Sequence, residues 1–291
     1  MKAFFSINAG LITLAMFSAA QENIPDAAPI ADGPLVANPE LDTLDMADML
    51  YKQAQAPATK ENRQEYGRLL DLSLRKYLEF TQRFPQSAQA PLAEYRAAMC
   101  LEELGRKDEA HGLFLRLIQT GSPALVAASA YRLATDASSA GEIDKAIQYY
   151  QLVIRNAEQN DLKVDAQYRL GRLFLSNGNP ESAATMFCAV MGNPEADAKF
   201  VLVSRMGYAA LCADTGRLGE AYSEYRKVLE TPGVDNRNRG IATLQAAMLA
   251  TKLKKTAEAQ GLYERLLKDE SLKEMAPEAR MGLLLRLYNM G

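Results

Sequence analysis

A formal charge of −3 over 291 residues gives no basic surplus for nucleic acid, and the scattered lysines and arginines argue against anionic membrane surfaces as partners. Hydrophobic residues at 48% and charged residues at 24% suffice to bury a core, so the chain is expected to fold. Three cysteines, Cys100, Cys188 and Cys212, are an odd count without a disulfide framework and read as small buried hydrophobes, though a Cys188–Cys212 bridge between adjacent helices stays open.

The first twenty residues, MKAFFSINAGLITLAMFSAA, have the shape of a secretory signal. Lys2 and the α-amino group form a positive start, residues 9–17 an apolar run, and Ser18-Ala19-Ala20 a small-residue cleavage site. A membrane anchor is the competing reading, but the run falls short of the ~20 residues that a spanning helix needs. The mature chain is therefore expected to start after Ala20, to be exported to the periplasm and to have no membrane span. Position 21 is Gln and the first cysteine is Cys100, so a lipoprotein is not expected.

Residues 21–40 hold four prolines and much alanine without a period, and read as an extended linker. Residues 41–88 read as a helical N-terminal cap. Leu41 to Tyr51 gives barely one heptad and a half, and Glu61 to Phe84 reads as one long helix with apolar residues at 66, 69, 70, 77, 80 and 84.

Residues 89–291 repeat. Gly105, Gly141, Gly178, Gly216, Lys254 and Gly291 follow one another at steps of 36, 37, 38, 38 and 37. Five residues after each of the first five comes an alanine: Ala110, Ala146, Ala183, Ala221 and Ala259. Four further on comes an aromatic (Phe114, Tyr150, Phe187, Tyr225, Tyr263), and three beyond that an aliphatic (Leu117, Val153, Val190, Val228, Leu266). Chance does not hold three residue classes in one register five times.

Each class has a task. Glycine suits the left-handed backbone that ends the first helix of a pair. Alanine lets two antiparallel helices approach, and the aromatic one turn on fills the wedge between its own hairpin and the next. Pro123 and Pro180, behind Ser122 and Asn179, fit first helical positions after an N-cap. Upstream, Ser73, Tyr77 and Phe80 keep the register with Arg68 in the turn slot, a degenerate first repeat with its turn ironed out.

Glycine, alanine and aromatic at these spacings resemble the tetratricopeptide repeat, and AEYRAAMCLEELG, SAYRLATDASSAG and AQYRLGRLFLSNG look like its first helix. The resemblance covers residues from about 70 to 291. It implies an all-α, right-handed α-solenoid of antiparallel hairpins: about five of them, then a final unpaired helix over 277–290. The longer repeats look most like exported bacterial members, such as the outer-membrane-protein assembly lipoprotein and the coordinator of the Tol–Pal system. The lipoprotein's cysteine and the coordinator's coiled coil are not found in this sequence.

No HExxH, CxxC or GxGxxG is present. His111, the single histidine, reads as a surface or rim residue rather than a ligand or base, and Glu102, Glu103, Asp108 and Glu109 as solvated turn carboxylates. No nucleophile, base and orienting group fall together, so the chain reads as non-catalytic, without cofactor or metal.

The resemblance implies a protein- or peptide-binding groove lined by the first helices. Ten residues before each turn stand Tyr95, Tyr131, Tyr168, Met206, Leu244 and Met281; six before it stand Met99, Thr135, Arg172, Ala210, Met248 and Leu285. Aromatic and methionine side chains there make adaptable contacts. The competing reading has the tyrosines packing neighbouring helices with their hydroxyls wet. Two functions follow: an exported scaffold of cell-envelope assembly or maintenance, or the helical arm of a larger cell-wall enzyme whose catalytic part lies beyond residue 291. The apolar circumference of 277–290 is expected to be covered by further repeats, a partner or a second copy.

Overall fold

The computed structural model describes residues 38–269 and residue 281. Among them are thirteen α-helices and no strand. The expected signal segment, the linker up to residue 37 and the helix at 277–290 lie outside the described residues, apart from Met281, which is helical and exposed. Packing divides the chain into two compact units, residues 1–100 and 101–291.

In the first unit, α1 (Pro39–Gln55) begins two residues inside the expected linker. The Asn38 side chain accepts from the Glu40 N–H at 3.2 Å, and Pro39 takes the first helical position, where a missing N–H costs nothing. The expected single helix from Glu61 to Phe84 is α3 (Arg63–Arg83), two residues shorter at its start, and a short α2 (Pro57–Glu61) precedes it. Asn62, at φ −95° and ψ 89°, leaves the helical region and caps α3 by accepting from the Glu65 N–H at 3.3 Å. The turn of the first repeat is therefore present, displaced upstream, and Arg68 sits inside α3 in an ion pair with Glu65 at 2.6 Å. Its first helix is α1, packed along α3. Ser73, Tyr77 and Phe80 are fully buried there, as the register requires. Ser73 donates to the Ala47 carbonyl at 2.8 Å and Tyr77 to Asp48 at 2.6 Å. Arg96, on α4 (Ala90–Glu103), closes the group onto the same Asp48 carboxylate.

The second unit is a helical solenoid. After α5 (Lys107–Thr120) come four hairpins: α6 (Pro123–Ser139) with α7 (Ile143–Asn156), and α8 (Asn160–Ser176) with α9 (Pro180–Met191). Next follow α10 (Ala198–Asp214) with α11 (Leu218–Glu230), and α12 (Asn236–Lys252) with α13 (Thr256–Lys268). Second helices such as α7, α9 and α11 pack on their own first helix and on the first helix of the next hairpin, and α8 touches α10. Contacts local in sequence are what a stacked repeat requires.

All five internal turns fall in the expected slots. Gly105, Gly141, Gly178 and Gly216 have φ between 74° and 80°, and Lys254 has φ 59°. Each turn closes with a backbone bond from the residue after the slot to a carbonyl five residues back, for example Arg106 to Leu101 at 2.8 Å and Lys255 to Ala250 at 2.9 Å. The five register alanines are wholly buried, and the five aromatics nearly so.

Cys188 departs from expectation. Cys100 and Cys212 are buried, but Cys188 is exposed, and all three are free thiols. One residue past the inward-pointing Phe187, it is rotated by about 100° around α9 and turned out of the core.

Candidate protein-binding face

The first helices of the second unit, α6, α8, α10 and α12, carry the expected binding positions at fixed distances from the turns. The structure separates these positions into two groups. Tyr131 and Tyr168 are buried, as are Tyr95 and Met99 in the first unit. Thr135, Arg172 and Met206 are half-buried, and Met248 is 42% exposed. Leu244 is buried as well, so five of the twelve register positions are closed to a partner, and Leu285 lies outside the described residues.

The buried tyrosines pack, with one change from the simple packing picture. The Tyr131 hydroxyl is not wet: it donates to the carboxylate of Asp165, a buried residue one hairpin further along. Asp165 also accepts from Arg169 Nε at 2.9 Å, and the Arg169 guanidinium lies 5.6 Å from the centre of the Tyr131 ring. The Tyr150 ring stands edge-on to Tyr131 at 6.0 Å. Burial is the main cause that pushes the Tyr131 hydroxyl above its ordinary value, with Asp165 adding to it. Burial likewise pushes Tyr150 up to about 12. The network ties α6, α7 and α8 with a largely buried charge pair joined through Arg169 Nε. Tyr168 packs between Phe187 at 6.3 Å and Phe200 at 6.1 Å.

The outward group differs in chemistry. Arg172 lies over the Tyr168 ring at 5.8 Å. The Thr135 hydroxyl bonds back to its own helix, donating to the Arg132 carbonyl at 2.8 Å. Met206 rests against the cluster that includes Leu244, while Met248 is exposed. The group thus holds two methionines and one cation beside an aromatic ring, side chains suited to adaptable contacts with a partner chain.

A second polar group lies near the turn after α4. His111 is half-exposed, a rim residue as expected, with Nε2 2.8 Å from Asp136, which also meets Lys107 at 3.4 Å. Glu102 is not a solvated turn carboxylate: its side chain is 16% exposed and faces Arg132 at 3.7 Å. Burial raises its carboxyl above the ordinary value, against the pull of Arg132. The repeated Tyr-Arg pairs at 131–132 and 168–169 were the sequence signal for these half-buried arginines, while Asp165 carried none. Among the described residues, no three His, Cys, Asp or Glu side chains are grouped to hold a metal, and no helix is long and apolar enough to cross a membrane.

Residues 92–120 and 131–191 each match the tetratricopeptide repeat family. The chain carries tetratricopeptide repeats. Proteins built from them generally bind proteins or peptides as scaffolds, and the fold is typically non-catalytic. The structure is similar to that of YrrB, a tetratricopeptide repeat protein with an unusual peptide-binding site, at 16% identity and a TM-score of 0.52. That match covers 71% of this chain and 97% of YrrB. A tetratricopeptide repeat protein from Parabacteroides merdae matches at 15% identity and a TM-score of 0.52, over 84% of this chain and 93% of its own. Pseudomonas aeruginosa pilF matches at 15% identity and a TM-score of 0.54, over 81% and 99%. At such identities the likeness is one of fold. No curated protein matches the sequence.

Proposed function

We propose that this chain is an exported, non-catalytic scaffold that holds an extended peptide or partner helix against the first helices of its tetratricopeptide repeats. The setting we propose is cell-envelope assembly or maintenance. The observation that carries the binding role is Met248, 42% exposed in a helix whose neighbouring residues Ala246, Ala247, Leu249 and Ala250 are all buried, with Arg172 and Met206 half-buried on the preceding first helices. A methionine left open on a rigid array makes adaptable contacts with a partner chain. Export is supported by the signal-like order of the first twenty residues. YrrB, of the same fold, is described by its peptide-binding site, which supports the class of ligand.

The test is site-specific photo-crosslinking in cells, with the probe at Thr135, Arg172, Met206 or Met248, and at Leu115 on α5 as an exposed control. One partner band shared by the four positions and absent at Leu115, in material released by osmotic shock, is expected. A band from Leu115 alone would remove the binding face, and retention in the cytoplasm would remove the export reading.

A further inference from the structure

We propose that the outward face of α1 is a self-association surface, on which a second copy of this chain packs antiparallel about a two-fold axis at the level of residues 47 and 48. α1 buries Leu44, Ala47 and Ala54 on one side. Its other side carries Leu41, Met46 and Met49, exposed by 48%, 44% and 46%. Seven large hydrophobics are exposed among the described residues, and three of them fall on this one 17-residue helix, so the patch is concentrated rather than scattered. At about 100° per residue they share a sector of roughly 140° with Asp42, Asp45 and Lys52.

Those three charges identify the occupant. None has an ion-pair partner among the described residues, and Asp48, one turn before Lys52, is already held by Tyr77 and Arg96. The nearest segment of the same chain, residues 21–37, carries Glu22, Asp26 and Asp32 with no lysine or arginine, so it would bring acid onto acid. A second α1 running antiparallel does the opposite. With the axis between residues 47 and 48, Met46 faces Met49 of the other copy, and Lys52 arrives between Asp42 and Asp45. Symmetry makes each contact twice, and the helix dipoles oppose favourably. A parallel pair would put the acids together. One helix pair buries less than a standard interface of about 800 Å² per partner, so association in the micromolar range is expected.

Sedimentation velocity of the full chain over about 1 to 200 μM tests this. A monomer–dimer equilibrium is expected, weakened about tenfold or more by Met49→Glu with an unchanged circular dichroism spectrum. Lys52→Glu alone and Asp42→Lys with Asp45→Lys should each weaken it as well, and all three together should restore it. A monomer at every concentration overturns the proposal, as does a dimer that ignores Met49→Glu. Failure of the combined charge exchange to restore association overturns the antiparallel register.

Discussion

The ring of Phe187 packs directly on the backbone of Gly207, where a β-carbon would stand 2.8 Å from Cζ. On its other side a β-carbon at Gly171 would stand 2.9 Å from Cε1. One aromatic from α9 is thus held between the first helix of its own hairpin and the first helix of the next. Gly207→Ala should destabilise by about 1–3 kcal/mol in urea unfolding, although alanine is the better helix former by about 1 kcal/mol. At Gly261 nothing lies within 4 Å, and Gly261→Ala should stabilise by about 0.5–1 kcal/mol. Equal effects at the two glycines would show that the Phe187 contact is not tight.

Lys254, with φ 59°, does with a side chain what glycine does at the other four internal turns. Lys254→Gly should raise stability by about 1 kcal/mol, since the left-handed region costs a non-glycine residue about that much. Gly216→Lys should lower it by a similar amount. Thermal melts of the pair check both signs; a lower Tm for Lys254→Gly would mean that the side chain holds the turn.

Ala183 is fully buried against Phe187 and Val190 at the approach of α8 and α9. Ala183→Leu should cost about 1–3 kcal/mol from overpacking. Because repeats are coupled to their neighbours, hydrogen exchange should show the first loss of protection in α8 to α10. Loss confined to α1 and α3 would contradict the register.

Tyr131→Phe removes the donor to Asp165 but leaves Arg169 in place, and should cost about 1–2 kcal/mol. Asp165→Ala strands a largely buried guanidinium and should cost more, about 3 kcal/mol. Chemical denaturation of both variants gives the ranking; a milder Asp165→Ala would mean that Arg169 finds water.

Glu102 binds its proton more tightly in the folded chain than in the unfolded one, chiefly through burial. Its contribution to stability is full below the ordinary carboxylate range and is lost as pH climbs through the raised value, so at about pH 7 its charge is a cost. Glu102→Gln should therefore raise Tm near neutrality, with the gain closing at about pH 4. A Tm lowered at neutral pH would show that the pair with Arg132 outweighs the burial.

Repeat length, turn positions and the buried alanine–aromatic–aliphatic register were fixed by the amino-acid order alone. A left-handed turn and a close helix approach are local steric demands, and local demands leave a periodic trace: Gly105, Ala110 and Phe114 recur as Gly178, Ala183 and Phe187. Where the period failed, so did the reading. No glycine marks the turn before α3, which Asn62 caps instead, and α1 became the first helix of a hairpin because it packs along α3. On the binding face, register chose the positions, but only the packed structure decided which of them face out. Tyr131 and Met248 stand at corresponding faces of their helices, yet one is bonded to Asp165 beneath a neighbouring helix and the other is open. Burial belongs to what lies across from a residue, and that is set by tertiary contacts between segments distant in sequence.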